Sequence, residues 1–315
     1  MIGLVVRRLL SLVPILLVVS FVIFGLVALI PGDAAVTLAG GIDAQPERIE
    51  EIRAELDLDD PVVVQYANWL GDAVSLDFGT SLYSQRPVTD ELAERLPVTL
   101  GLVALVMVIA LIGAAIIGIV GGLRPGSVVD RGLLLGSSAS IAMPSFWVGL
   151  LLIVAFAVKL KWLPPFGYTP FGESPWEWFK GMILPAIALA LSSAAVIGRQ
   201  LRAGLADTMR APFVRTAWAK GGSTRQVVVG HAVKNSVLPA VTVLGLQLGA
   251  LLGSTVIIER IFTIPGLGTY LLNAVNSQDL PAVQGVAVLF VLIQVTVSLL
   301  VDISYGYLNP KVRAT

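Results

Sequence analysis

The stretch LPVTLGLVALVMVIALIGAAIIGIVGGL, Leu96–Leu123, contains no charged side chain, and its reading decides the fold. As an α-helix it is roughly 42 Å long, more than the ~30 Å of hydrocarbon in a bilayer. In lipid its backbone groups find no water, so they must pair within the segment itself, which is what a helix does. Strand-like alternation is absent.

Five more stretches share this character: Leu9–Gly32, Gly132–Val158, Gly181–Gly198, Ser236–Ile258 and Leu280–Val301. Gly181–Gly198 is short for a span, but extends through Arg199, whose long stem lets its head reach the headgroups. The expected fold is therefore all-α and polytopic, with about six transmembrane helices. Composition agrees: 56% of the 315 residues are apolar, only 13% are charged, and mean hydropathy is +0.86. A soluble domain carries about 25% charge. Arg7 and Arg8 before the first apolar run imitate a secretory signal. That run is too long for a signal core and no small-residue cleavage site follows, so it reads as a retained first span.

Basic residues set the expected orientation. With both termini in the cytoplasm, the inner segments hold Arg7, Arg8, Arg124, Arg131, Arg199, Arg202, Arg210, Arg215, Lys220, Arg225, Lys234, Lys311 and Arg313, which is 13 of the 21 Lys and Arg. The chain then divides into residues 1–32, a tail and first span; 33–95, an extracytoplasmic cap; and 96–315, a core of five spans with an inner loop at 202–235.

The cap is acidic, but Ile49, Ile52 and Leu56 recur at helical spacing, and Pro61 opens a second segment bearing Val64, Tyr66 and Leu70. Two short helices are expected there. In the inner loop, Pro212 suits the first turn of a helix running to about Lys220. Gly221–Gly222 stops it, with positive φ at one of the two. Ser223 followed by Gln226 reads as a capping box that starts the next helix.

Chemistry of its own is hard to find in this chain. There is no phosphate-binding G-x-x-x-x-G-K-[ST] loop and no H-E-x-x-H or G-x-S-x-G motif. The chain has no cysteine and one histidine, His231, read as a polar surface or interface residue. No metal or other cofactor is expected. Asp302 and Glu259 stand at span ends, not at mid-membrane, which argues against a proton-coupled carrier. Zero net charge gives no reason to expect nucleic acid. Gln247, Ser254 and Thr255 in the fifth span are candidates to line a solute path, although hydrogen bonds between helices are the commoner use of such residues.

Against this background the inner loop resembles the EAA loop of ABC-importer permeases, and most closely the dipeptide, oligopeptide and nickel subfamily. That pattern reads T-A-R-A-K-G-L, then H-A-L-R-N, then L-P. Here stand Arg215-Thr216-Ala217-Trp218-Ala219-Lys220-Gly221-Gly222, His231-Ala232-Val233-Lys234-Asn235 and Leu238-Pro239. The opening from Arg7-Arg8-Leu9-Leu10 to Ile30-Pro31-Gly32-Asp33, the segment Ser75-Leu76-Asp77-Phe78-Gly79-Thr80-Ser81, and Glu259-Arg260-Ile261-Phe262 with Pro265-Gly266-Leu267-Gly268 are similar to the same subfamily, in the same order. Departures are Arg215-Thr216 in place of the acidic-alanine start of the general EAA pattern and, against the subfamily, Trp218 for arginine, Gly222 for leucine, Gln278 for arginine before Asp279, and Asn309-Pro310 for Asp-Pro near the end.

The resemblance implies a type I ABC importer permease fold and no enzyme activity in this chain. It implies a second homologous permease, two cytoplasmic ATPase subunits and an extracytoplasmic solute-binding protein as partners, besides membrane lipid and a small solute in transit. It also implies that Arg215, Thr216, Ala217, Trp218, Ala219, Lys220, Gly221 and Gly222 couple to the ATPase. Peptides are the commonest cargo of the subfamily; nickel chelates, sugars and haem-like molecules are others. A secondary carrier is the competing class. It is disfavoured by the lack of mid-membrane charge and of inverted halves.

Overall fold

A computed structural model describes residues 13–25, 35–36, 45–55 and 59–308. Among these, the helices in chain order are α1 Val13–Gly25, α2 Pro46–Glu55, α3 Val62–Val74, α4 Val88–Leu123, α5 Val128–Ala142, α6 Ser145–Lys159, α7 Pro175–Thr208, α8 Pro212–Ala219, α9 Thr224–Phe262, α10 Leu267–Asn276 and α11 Leu280–Leu308. Four of them, α4, α7, α9 and α11, are long and apolar enough to cross a membrane, and α5 with α6 makes a fifth if that bent pair is one span. The first expected span, Leu9–Gly32, lies partly outside the described residues; its described part is α1. Helices α2 and α3 form where helical spacing predicts them, with Leu56 lying outside the described residues. Pro61 caps α3 from just outside it.

The stretch Gly132–Val158, expected as one straight helix, is instead two helices meeting at 102°. The break is at Pro144. Its ring disfavours helical backbone in the residue before it, and Met143 is accordingly extended at φ −82° and ψ 128°. Pro97, Pro185 and Pro239 are by contrast carried inside α4, α7 and α9.

The chain forms two compact units. One comprises Thr99–Ile264 and the end of α11 from Thr296; the other comprises the described residues up to Val98 together with Pro265–Val295.

In the first unit α7 is the hub. Of its apolar window 67% is buried, against 28% in α9, and α4, α5, α6 and α9 all pack on it. Small residues make this possible, because helices in lipid associate by close backbone approach. A Cβ on Gly113 would stand 2.9 Å from the Ala194 methyl, and one on Gly198 would stand 2.8 Å from Ile117 Cβ. A Cβ on Gly118 would come within 2.6 Å of Leu201 Cγ. Gly113 and Gly118 are five residues apart, which on a regular helix turns them to different faces. A π-turn at Ile116–Val120 takes up the extra residue, and both glycines meet α7.

The second unit has its own core of Phe78, Val88, Leu92, Leu267, Tyr270 and Val286, with Trp69 and Leu289 packed against it. Aromatic rings hold α1 to α3: Phe21 meets Tyr66 edge-on at 5.1 Å and Phe24 lies 5.7 Å from Trp69. The Tyr66 hydroxyl donates to Leu17 O at 3.1 Å.

Candidate functional site

The segment between α7 and α9 is closed by local hydrogen bonds at a tight turn. α8 carries Pro212 in its first turn, where no backbone donor is needed. After Lys220 the chain closes as a Schellman motif. The Gly221 N–H donates to Trp218 O at 2.9 Å, and the Gly222 N–H donates to Ala217 O at 3.2 Å. Gly221 is the residue with positive φ, +81°. Gly222 serves a different need, since a Cβ there would stand 3.0 Å from both Ala217 O and Val227 Cγ2. Ser223 and Gln226 then form the expected reciprocal capping box. The Gln226 side chain accepts from the Ser223 N–H at 3.0 Å.

The second loop helix is not a separate element. It is the first part of α9, which continues through a π-turn at Val228–Val233 into the membrane-crossing portion. The linker proper is therefore residues 209–223, shorter than the expected 202–235. Val227, Val228 and Ala232 are buried at the start of α9. The base of the segment is closed by Ser236, whose hydroxyl donates to Ala232 O at 2.7 Å and lies 3.0 Å from Thr208 Oγ1 at the end of α7.

Along α8, Val214 is fully buried and Ala217 half-buried, while Arg215, Thr216, Trp218, Ala219 and Lys220 are exposed. Phe213 is exposed as well. The helix thus has one face fixed to its own chain and one open face carrying two cations and two aromatic rings. The Trp218 indole presents a larger apolar surface than the arginine of the resembling pattern.

The three candidate pathway residues do not form one cluster. The Gln247 amide donates to Ser193 Oγ at 3.3 Å, bridging α9 and α7. Ser254 is half-buried and donates to Ala250 O. Thr255 is fully buried and donates to Leu252 O at 2.8 Å. Glu259, also fully buried, accepts from the Thr99 hydroxyl at 2.7 Å.

Two polar assemblies were not found by sequence reasoning. The first, in the second unit, is centred on Asp279, which is 2% exposed. Its carboxylate accepts from the Ser81 hydroxyl, from the Leu82 N–H at 3.1 Å, and from the Ala282 N–H at 3.3 Å, capping α11. Nearby, buried Glu91 pairs with Arg86 at 3.0 Å and with Arg95. The hydrogen bond to Glu94 and its charge hold the Arg86 guanidinium above its ordinary pKa. Arg95 lies over the Tyr270 ring at 4.7 Å. Burial, with the charges of Asp279 and Glu91, pushes the Tyr270 phenol up to about 12. The segment 79–87 is thereby fixed at its base, with Tyr83 81% exposed at its tip. The only sequence signal was Asp279 itself, an acid immediately before an apolar run. The second assembly is the pair Asp130–Arg202 in the first unit, taken up below.

Packed apolar spans with a capped basic helix held between two of them define a multi-pass membrane permease. The chain belongs to the family of binding-protein-dependent transport system inner membrane components, whose model matches residues 114–314. A model of the membrane component's N-terminal part matches residues 1–103. Among its relatives are a putative peptide transport system permease protein of Brucella abortus strain 2308 and the glutathione transport system permease protein of Escherichia coli K12. Each is 38% identical over 313 residues, covering 99% of both chains. The chain is the permease subunit of an ABC importer that depends on a binding protein. It is a transport component, not an enzyme, and it works with other subunits.

Proposed function

We propose that this chain forms half of a translocation path for peptides or similar small solutes, with a second homologous permease completing it. Two ATPase subunits sit on the cytoplasmic side, where both termini also lie, and an extracytoplasmic solute-binding protein delivers cargo to the side of residues 33–95. Of the polar residues on α9, Gln247 and Ser254 are partly accessible to a passing solute, and Thr255 is fully buried.

The observation that carries this reading is α8. A helix of eight residues is too short to be stable alone, yet this one is stopped by two Schellman bonds, braced by buried Val214 and followed at once by a capping box. A helix so fixed at its C-terminal end and along its buried side transmits displacement instead of absorbing it, which is what coupling to a separate ATPase requires. The peptide cargo is supported by the relatives, a putative peptide permease and a glutathione permease.

The test is reconstitution of the permease pair with its ATPases in vesicles, with the binding protein loaded in turn with di-, tri- and oligopeptides, nickel chelates and haem. Peptide-loaded binding protein should stimulate ATP hydrolysis. Stimulation by a metal chelate or haem and by no peptide would displace the cargo assignment.

A further inference from the structure

Asp130 stands in the first turn of α5 and is 1% exposed. Arg202 lies on α7 about two turns before that helix ends at Thr208. The two form a fork: Arg202 Nε donates to Asp130 Oδ1 at 2.6 Å, and Nη2 donates to Oδ2 at 2.6 Å. The Gly126 N–H, in the turn between α4 and α5, gives the carboxylate a third bond at 2.7 Å. α4 passes close enough that a Cβ on Gly121 would stand 2.9 Å from Asp130 Oδ1 and 3.3 Å from Arg202 Cγ. One on Gly122 would stand 3.1 Å from Arg202 O. Three elements, α4, α5 and α7, therefore converge on one ion pair.

Stability alone does not explain this pair. Desolvating two charges offsets most of their attraction, and apolar replacements of similar volume are often as stable. A bidentate fork does fix distance and direction, however. Beyond Arg202, α7 is held to α9 at Gly204, where a Cβ would stand 3.1 Å from Ser236 O, and at the Thr208–Ser236 contact of 3.0 Å. The end of α7, from Arg202 to Thr208, is thus braced against α9.

We propose that Asp130 and Arg202 are the positioning pair that makes α5 and the α4–α5 turn move as one body with α8 and the end of α7. Motion imposed on α8 then reaches the spans instead of being lost at the end of α7. The inference rests on the coupling role of α8 proposed above.

The experiment uses the full complex in vesicles and reads solute uptake per ATP hydrolysed, normalised to ATPase recovered by pull-down. Asp130→Asn should leave pull-down intact and lower uptake per ATP by roughly two- to thirtyfold, the range in which network mutations alter coupling. The chain has no cysteine, so in an Asp130→Cys/Arg202→Cys double variant the introduced pair carries the only thiols on this subunit. The variant should be uncoupled when reduced, and a short bifunctional thiol reagent bridging the pair should restore coupling. Because uptake is read per ATP hydrolysed by recovered complex, a loss of fold or assembly alone does not move it, so restoration by the bridge reports coupling and decides the matter even where Asp130→Asn assembles poorly. Unchanged uptake per ATP in Asp130→Asn, or a bridged pair that stays uncoupled or blocks uptake, overturns the proposal. Gly221→Val is run alongside. If it uncouples while the Asp130 variants do not, the pair has no such role; if Gly221→Val itself couples normally, the reading of α8 has failed.

Discussion

Replacing Gly221 separates backbone geometry from packing, because a Cβ there meets nothing within 4 Å. The whole effect must come from φ +81°. Holding a non-glycine residue in the left-handed region costs roughly 1–2 kcal/mol, and more for a β-branched one. Leaving that region breaks the two Schellman bonds at Trp218 O and Ala217 O, each worth a net ~0.5–1.5 kcal/mol. Either route costs Gly221→Val at least ~1–2 kcal/mol, a factor of roughly 5–30 in the population holding the native turn. Gly221→Asn, a residue enriched in the left-handed region, should lose much less, and Gly221→Ala should fall between. The assay is uptake per assembled complex in vesicles, with ATPase pull-down as the measure of assembly. The expected order of loss is Val, then Ala, then Asn. The spans should insert normally, since lipid stabilises them separately. Wild-type uptake and wild-type pull-down for Gly221→Val would refute the reasoning, and so would Asn as damaging as Val, which would point to a steric cause.

Gly118→Ala forces a methyl against Leu201 at 2.6 Å; it should destabilise the purified complex by about 1–3 kcal/mol, seen as a lower melting temperature, whereas Gly132→Ala, with open space around it, should not. Asp279→Ala strips the cap of α11 and leaves the Ser81 and Leu82 donors without their acceptor. A loss of about 2–4 kcal/mol is expected, and an unchanged melting temperature would show that the Asp279 assembly is not structural. For orientation, Tyr83→Cys should react with a membrane-impermeant thiol reagent in intact cells, and Ala219→Cys should react only after permeabilisation; the reverse pattern would invert the assigned topology.

The helical class and most of the spans were legible because lipid excludes charge, so a gap in the charge pattern is direct evidence of a span. Boundaries were not legible where charges satisfy one another. α4 starts at Val88 and not Leu96, since Glu91 and Glu94 pair with Arg86 and Arg95 and are tolerated in a continuing helix. Pro97, Pro144, Pro185 and Pro239 look alike in their apolar stretches, yet of these only Pro144 breaks its helix, and tertiary packing decides which does. The α8 turn was legible to the residue class, because proline, paired glycines and a capping box are local signals. Its choice of Gly221 for positive φ was not, because Gly222 is needed for closeness to Val227. Asp130–Arg202 and Ser81–Asp279 join residues 72 and 198 apart, and no local pattern announces such a pair.

The most direct test of the account is the energy source of transport. Vesicles containing the permease pair and its ATPases should accumulate radiolabelled peptide only when ATP is on the ATPase side and the binding protein is on the other. Omitting either should abolish uptake, and a proton gradient should not replace ATP. Uptake driven by a proton gradient without ATP or binding protein would contradict the account.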